Sequence, residues 1–291
     1  MRLSLATLAC ATCLPFVGHA AEVSSTLSFG RVGSDGTFTR LVDTSARFRL
    51  GGAADLTARG DFARTSDGAT DADYVSAGVG TTFGDTSGAL DFGRPRSILE
   101  VGPLPDPARF SANASRGTFR PLAAEIALER DLGTGVRIIA ERGALQLGTS
   151  YHNVDEDEDG VLGVAGRYDL AMGGLSDSMT VYGGVESDGT VERYRLGTEV
   201  TLGRAVAAVD LLRTGDEGIN ASQVSLGLAV TEAVMFGVTG VVESDGDLLE
   251  PVSRLGVGAS VSLESGTFLR GGFDTRTSED YAIDVEIGFQ F

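Results

Sequence analysis

The last eleven residues of the chain alternate strictly between apolar side chains and polar or small ones. The apolar residues lie at the odd positions: Tyr281, Ile283, Val285, Ile287, Phe289 and Phe291. The even positions hold Ala, Asp, Glu, Gly and Gln. Successive side chains of a β-strand point to opposite faces, so this segment predicts a strand with one apolar face. Such a strand needs an apolar environment on one side, either the core of a soluble β-sandwich or lipid.

The start of the chain has the organisation of a secretory signal peptide. A charged first region is followed by an apolar run that ends at Val17 and by small residues up to Ala20. We therefore expect residues 1–20 to be removed and residues 21–291 to form the folded domain. Both cysteines lie in this signal, so the mature chain is expected to contain no disulfide.

Composition excludes several classes of function. The formal net charge is −18 and the isoelectric point is about 4.4, which argues against nucleic acid as a partner. All 23 basic residues are arginine, so the chain has neither a Walker A lysine nor a Schiff-base lysine. After Val17 no apolar stretch reaches the roughly 18 residues that a helical membrane span needs.

From Glu22 onward, short segments of alternating apolar and polar residues are separated by turn residues, which predicts an all-β fold. Segments of about ten residues match a tilted strand that crosses the hydrocarbon core. A chain that spans a membrane without apolar helices must close its strands into a barrel, since hydrocarbon offers the backbone no other partner. We predict a transmembrane antiparallel β-barrel of sixteen strands, near 23–32, 38–49, 53–63, 74–84, 88–94, 136–141, 143–152, 161–170, 178–186, 190–201, 204–213, 220–231, 234–243, 251–263, 266–275 and 281–291.

The connections between these strands alternate between short turns and longer loops, as expected for a bacterial barrel with an even number of strands. Ser-Asp-Gly occurs four times, and each copy follows an odd-numbered strand: 34–36, 66–68, 187–189 and 244–246. Short connections such as Arg142-Gly143 follow even-numbered strands. If Phe291 lies on the periplasmic side, the Ser-Asp-Gly loops lie outside the cell.

One connection breaks the pattern, because residues 95–134 show no alternation over about forty residues. A connection of that length in a compact domain is either functional or a misassigned element. It begins with Pro103, Pro105 and Pro107, and its last third is rich in strong helix formers and stops at Gly133. We therefore predict a long loop with a helix over about 122–132 rather than a further strand.

The whole mature chain resembles the general diffusion porins of Gram-negative bacteria, especially the sixteen-stranded alphaproteobacterial type. The resemblance lies in the signal peptide, in residues 89–94 before the long loop, in residues 135–141 after it, and in a last strand that ends on the aromatic Phe291. It is a resemblance of pattern rather than of a diagnostic string of residues. The aromatic content is 7% with no Trp, so an interfacial girdle would consist of Tyr and Phe.

This resemblance implies a location and a function. The last strand, 281–291, would be the signal for the outer-membrane barrel assembly machinery. The protein would form a homotrimer in the outer membrane, in contact with lipid and lipopolysaccharide. The third external loop, 95–134, would fold into the lumen and narrow a water-filled channel for ions and small hydrophilic solutes. No cofactor is expected.

Arginines on the polar faces of the strands are the candidate channel-lining residues. Arg47, Arg49 and Arg59 alternate with apolar or small residues on the second and third strands. Because an Arg at the bilayer midplane costs roughly 2–4 kcal/mol, we expect these arginines to point into the lumen. The same argument places three more arginines there: Arg193, Arg195 and Arg270.

Carboxylates of the long loop are the candidate partners of these arginines: Glu100, Asp106, Glu125, Glu129 and Asp131. An arginine wall that faces a carboxylate loop produces a transverse field, which orients dipolar solutes and sets ion preference. The alternative is an ordinary polar lining with internal salt bridges. The sequence leaves both open, since it does not show which carboxylates face inward.

The acidic segment 155–160 begins like a calcium loop, with Asp155, Asp157 and Asp159 at the first, third and fifth positions and Gly at the sixth. The twelfth position is Gly166, where an EF-hand has its bidentate Glu. We therefore expect a solvated acidic loop, which is a weak Ca²⁺ candidate, and no other metal site. Divalent cations could also join this loop to lipopolysaccharide.

Three other classes of protein compete with a pore. A barrel enzyme would have to use His152, which we expect to be a polar rim residue and whose serine partner would face lipid. No Gly-x-Ser-x-Gly elbow is present either, so we expect no enzyme. A non-conducting barrel with an adhesion, binding or structural role is the main alternative to a pore, and a secreted soluble β-sandwich is the third.

Overall fold

The structure, a computed structural model, describes twelve segments of the chain: 21–32, 37–51, 55–66, 70–105, 119–129, 132–154, 160–172, 177–214, 219–244, 252–263, 266–276 and 281–290. These residues form sixteen antiparallel strands and one helix. The expected signal peptide, residues 1–20, and the C-terminal Phe291 lie outside the described segments.

All sixteen strands that the alternation predicts are present, and their ends differ from the predicted ones by at most four residues. The strands are β1 (Ala21–Val32), β2 (Thr37–Gly51), β3 (Leu56–Ser66), β4 (Asp71–Phe83), β5 (Thr86–Arg94), β6 (Leu132–Arg142), β7 (Leu145–Val154), β8 (Gly160–Ala171), β9 (Ser178–Ser187), β10 (Glu192–Leu202), β11 (Ala205–Thr214), β12 (Ile219–Ala229), β13 (Val234–Ser244), β14 (Val252–Ser262), β15 (Thr267–Arg276) and β16 (Tyr281–Gln290). The helix, α1 (Leu122–Glu129), lies between β5 and β6.

The sheet closes on itself because β1 pairs with β16, from Ser24 opposite Gln290 to Val32 opposite Ala282. All other pairs join strands that follow each other in the chain, so the order around the barrel is the order of the sequence. Closure leaves no edge strand with unpaired backbone groups. The prediction of a closed antiparallel barrel is confirmed.

The two faces of the barrel wall differ in chemistry. Large apolar side chains are exposed on every strand from β3 to β16, and on β16 they include Ile283 and Val285, each 47% exposed. Between them the polar side chains point inward, as Glu286 does on the same strand. An exposed apolar band of this extent exceeds what soluble monomers leave in contact with water. Within the described residues, no helix has the length and apolar character required to cross a membrane.

The chain leaves the wall after β5 and enters the barrel. Gly93 has a φ of 114°, and a Cβ atom at this position would come within 2.6 Å of the carbonyl oxygen of Val75. Glycine is therefore required where the chain bends inward. Beyond the bend, Ile98 and Leu99 are 0% and 3% exposed. We call residues 95–131 the inner loop; its described parts are 95–105 and 119–129, and for these parts the predicted position in the lumen is confirmed.

Two apolar clusters hold the inner loop against the wall. The first joins four loop residues to the inner faces of β8, β9, β11, β12 and β13: Ile98, Leu99, Leu104 and Phe119 with Ala165, Tyr182, Leu212, Ala221 and Val241. The second joins helix α1 to β3, β4, β7 and β8: Leu122, Ala123 and Leu128 with Ala63, Ala72, Tyr74, Val154 and Val161. The loop is thus packed along the wall rather than suspended in the lumen.

Helix α1 lies where the composition predicts it but ends earlier, at Glu129 rather than near 132. The next strand begins at Leu132, which pairs with Val154 before a bulge that extends to Gly135. Pairing with β7 therefore draws Leu132, a strong helix former, into the wall. Tertiary hydrogen bonding decides this boundary.

Candidate functional site

The lumen is divided by the inner loop. In a closed ring of sixteen strands β1 and β9 lie on opposite sides, and Ile98, Leu99 and Phe119 pack on the side of β8, β9, β11, β12 and β13. Among the described residues, the two apolar clusters include none from β14, β15, β16, β1 or β2. The side of the lumen that these clusters leave uncovered is therefore bounded by β14 to β2.

Partly exposed arginines lie on this uncovered side. Arg47 on β2 is exposed, and Arg270 on β15 is 17% exposed with its Nη1 atom 3.9 Å from Oε1 of Glu286. Arg254 on β14 was not predicted as a lining residue, yet it is 13% exposed and donates to Glu243 at 2.9 Å. Arg49 belongs to β2, but its side chain lies outside the described part of the molecule.

A buried network of charges joins β3, β5 and β6 near the point where the inner loop enters the barrel. The guanidinium of Arg137, 1% exposed, donates from Nε and Nη2 to Oδ2 of Asp91 at 3.1 and 2.9 Å. Nη2 also contacts Oδ2 of Asp61 at 2.9 Å, and Nη1 donates to the carbonyl oxygen of Arg96 at 3.4 Å. Arg59 reaches the other oxygen of Asp91, with its Nε atom at 3.7 Å. Arg59 is therefore part of an ion-pair network and not an isolated positive charge.

Arg96 ties the first residues of the inner loop to β2. Its Nη2 atom lies 2.7 Å from Oδ2 of Asp43, and its Nη1 atom lies 3.8 Å from Oε1 of Glu100. Burial alone would lower the pKa of the Arg96 guanidinium, but the carboxylates of Glu100 and Asp43 outweigh that effect and hold this pKa above its ordinary value. Arg96 therefore stays charged, and Glu100 serves as its partner.

Arg193 and Arg195 face the interior, as predicted, but they lie beneath the inner loop and not at open water. They are 1% and 2% exposed. Arg193 donates from Nη2 to Oε2 of Glu125 on α1 at 2.9 Å. Arg195 donates from Nε to Oδ1 of Asp210 at 2.7 Å and from Nη1 to the carbonyl oxygen of Pro105 at 2.6 Å. Both arginines anchor the loop to β10.

The remaining candidate residues are placed as follows. Glu129 is exposed at the end of α1. Asp106 and Asp131 of the loop, and Asp155, Asp157 and Asp159 of the acidic segment, lie outside the described residues. No group of three or more His, Cys, Asp or Glu side chains that could hold a metal occurs within the described segments.

His152 differs from its predicted place. It is 0% exposed and points into the barrel, so the expectation of a polar rim residue is wrong. The reason is that β7 continues to Val154 and that α1 packs on the inner face of the last residues of this strand. Leu128 of α1 and Val154 of β7 belong to one apolar cluster.

Sequence reasoning missed Arg137, Asp91 and Asp210, which carry much of the buried charge. The signal was available for all three, because each is flanked by apolar residues on its strand: Asp91 by Leu90 and Phe92, Arg137 by Val136 and Ile138, and Asp210 by Val209 and Leu211. The alternation that placed Arg47 and Arg59 on the inner face applies equally to these residues. The pairing of Asp91 with Arg137 was not available, since these two lie 46 residues apart in the chain.

Comparison with known proteins agrees with this architecture. No protein-family model and no curated protein sequence matches the chain. Among solved structures, a mutant of the porin of Rhodopseudomonas blastica with five substitutions is 14% identical, with a TM-score of 0.64, and the match covers 94% of this chain and all of the porin. A mutant of the same porin with three substitutions is 12% identical over the same coverage, with a TM-score of 0.66. The chain therefore has the fold of these porin structures.

Proposed function

We propose that this protein is an outer-membrane porin, a water-filled channel through which ions and small hydrophilic solutes diffuse passively. The observation that carries the proposal is the distribution of side chains in a closed barrel. Large apolar side chains are exposed on the outer face from β3 to β16, whereas the arginine side chains of Arg47, Arg254 and Arg270 on the inner face are at least partly exposed. A wall of this kind faces lipid on one side and water on the other.

The proposal includes the route by which the protein reaches its membrane. Residues 1–20 are removed as a signal, and the last strand is presented to the barrel assembly machinery. The mature protein forms a homotrimer surrounded by lipid and lipopolysaccharide, acts without a cofactor and has no enzymatic activity. Fractionation of Gram-negative cells, followed by gel migration with and without heating, tests the location and the assembly state together.

Single-channel recording in a planar lipid bilayer is the decisive test of the pore. The purified protein should insert in discrete steps of conductance, because each barrel adds one or more water-filled passages. A barrel that inserts, as shown by its gel migration, but produces no current would instead have an adhesion, binding or structural role.

Replacing one outward-facing apolar residue by Arg separates a membrane barrel from a soluble one. Val257 lies at the centre of β14 and is 47% exposed. In lipid, Val257→Arg should lower the free energy of unfolding by roughly 2–4 kcal/mol, because the charge enters hydrocarbon. On the surface of a soluble β-protein the same change would stay within about 0.5 kcal/mol. Urea titration in lipid vesicles measures the difference, with Val257→Leu as the control.

Ion preference should depend on the arginines of β2 and β3. The formal charge is −18, and the expected loss of Arg2 makes it more negative, so we predict a cation-preferring channel. Replacing Arg47, Arg49 and Arg59 by Gln should increase that preference, because these charges repel cations locally. Screening limits the reach of distant charges to about 10 Å at 0.1 M salt.

Reversal potentials under a salt gradient measure the preference of this triple variant. Arg204→Gln is the matched control, because Arg204 is exposed in the turn between β10 and β11. An unchanged reversal potential in the triple variant would show that these three arginines do not line the narrow part of the channel.

A further inference from the structure

We infer that Glu186 and three inward-facing glycines of β7, β8 and β9 form a dock that holds the inner loop in place and thereby sets the width of the channel. The inference rests on the proposed function for its link to channel width. The dock itself is a contact between loop and wall and can be tested without any current. Glu186 is therefore a positioning residue, because it acts on the channel through the inner loop.

The glycines make room for the first apolar residues of the loop. Gly148, Gly163 and Gly184 face the lumen on three adjacent strands. A Cβ atom at any of them would come within 3.0 Å of the side chain of Ile98 or Leu99. Side chains in a packed interior cannot accept such contacts without moving. The absence of three side chains thus creates a groove of the shape that Ile98 and Leu99 fill.

The two loop residues have little freedom to move out of this groove. Ile98 is fully buried, and its amide donates to Oγ of Ser150 on β7 at 3.1 Å. The amide of Leu99 donates to Oγ of Ser97 at 2.9 Å. Both the backbone and the side chain of Ile98 are therefore held against the wall. A side chain introduced into the groove would displace Ile98 and, with it, the backbone of the loop.

Glu186 connects two distant parts of the loop from its place next to the groove. Its side chain is 0% exposed and lies opposite Gly163 in the register of β8 and β9. Oε1 accepts a hydrogen bond from the hydroxyl of Ser97 at the beginning of the loop. Oε2 accepts a hydrogen bond of 3.2 Å from the amide of Ala123 in the first turn of α1. A carboxylate at this end of a helix satisfies an amide that has no partner within the helix. One wall residue thus holds both the entry of the loop and its helix.

The position of the dock explains why it should matter for the channel. It lies on β7, β8 and β9, across the ring from β15, β16 and β1. A loop released from this wall can move toward the uncovered side, where Arg47 and Arg270 are located. Buried polar groups keep their hydrogen-bond partners, so loss of the Glu186 carboxylate leaves Ser97 and the amide of Ala123 to find new ones.

The test measures release of the loop through a single thiol. Ala124 in α1 is 6% exposed, and both cysteines of the chain, Cys10 and Cys13, lie in the expected signal peptide. In the mature Ala124→Cys protein, whose single thiol lies in α1, reaction with a water-soluble maleimide should be slow. Glu186→Ala and Gly163→Ala should each speed it by about tenfold, because local opening exposes the thiol.

Gly240→Ala is the matched control. It lies on the outer face of β13, and a Cβ atom there meets nothing within 4 Å, so the reaction rate should not change. Glu186→Gln retains an oxygen that can accept the amide of Ala123 and should show a smaller increase than Glu186→Ala. If a substitution in the wall prevents assembly, Ser97→Ala removes the bond from Ser97 to Glu186 from the loop side, together with the bond that the amide of Leu99 donates to Oγ of Ser97, and leaves the barrel wall intact.

The outcomes separate the dock from the pore. Faster labelling with an intact barrel supports the dock, whether or not the protein conducts. Faster labelling together with a changed single-channel conductance supports the link to channel width as well, whereas unchanged conductance overturns that link. Unchanged labelling in Glu186→Ala, Gly163→Ala and Ser97→Ala, each with the heat-dependent gel migration of a folded barrel, overturns the dock.

Discussion

Replacing residues 104–120 by a short Gly-Ser linker should raise the single-channel conductance severalfold while the barrel still assembles. The segment begins and ends inside the lumen, since Leu104 and Phe119 are 8% and 6% exposed and belong to the apolar cluster on the inner faces of β8, β9, β11, β12 and β13. Its removal widens the water-filled cross-section. The contacts of Ser97, Ile98 and Leu99 with the wall remain, so the base of the loop keeps its place.

Planar bilayer recording of the shortened protein measures this effect, and gel migration with and without heating shows that the barrel has formed. The control is a replacement of residues 188–190, in the turn between β9 and β10, by the same linker, which changes the rim but not the lumen. Equal conductance of the shortened and the unaltered protein would show that the inner loop does not limit the passage.

Arg137→Met should destabilise the barrel more than any exposed charge substitution, by roughly 3–5 kcal/mol. The guanidinium and its partner Asp91 are each 1% exposed, and removal of Arg137 leaves the Asp91 carboxylate buried beside a single, more distant arginine, Arg59. Breaking a buried pair costs this much because the remaining charge has lost both water and its partner. Asp61 and the carbonyl oxygen of Arg96 lose a donor at the same time.

Urea unfolding in lipid vesicles, followed by circular dichroism, measures the loss for Arg137→Met. Arg142→Met is the control, because Arg142 and its partner Asp85 are 75% and 70% exposed and such pairs contribute about 0–1 kcal/mol. The double variant Arg137→Met with Asp91→Asn should recover part of the stability, since the orphaned charge is gone. Equal losses for Arg137→Met and Arg142→Met would contradict the role assigned to the network.

The wall of the barrel could be predicted from the sequence because the rule that forms it is local. Each strand alternates between a lipid-facing and a lumen-facing side chain, and a window of ten residues is enough to see this, as in Tyr281 to Phe289. The same rule placed Arg193 and Arg195 on the inner face. Helix α1 was also visible locally, through its content of Ala, Leu and Glu.

The contents of the lumen could not be predicted in the same way. Whether an inward arginine meets water or the loop depends on contacts between distant residues, such as Arg195 with Pro105, which lie 90 positions apart. Arg47 and Arg195 have the same local pattern, yet one is exposed and the other is buried. The burial of His152 could not be predicted for the same reason. It depends on helix α1, and the sequence of β7 does not indicate that a helix packs on it.

The pairing of β1 with β16 has a consequence for how the chain reaches its final form. Fifteen of the sixteen strand pairs join neighbours in the sequence, and all of these except β5 with β6, which the inner loop separates, can form as simple hairpins. The sixteenth brings the two ends of the domain together and must overcome the entropy of closing nearly the whole chain. Until that step, two open edges are available to other strands. The inner loop packs on strands made before this step, β3 to β13, so its binding to the wall and the closure of the ring are separable events.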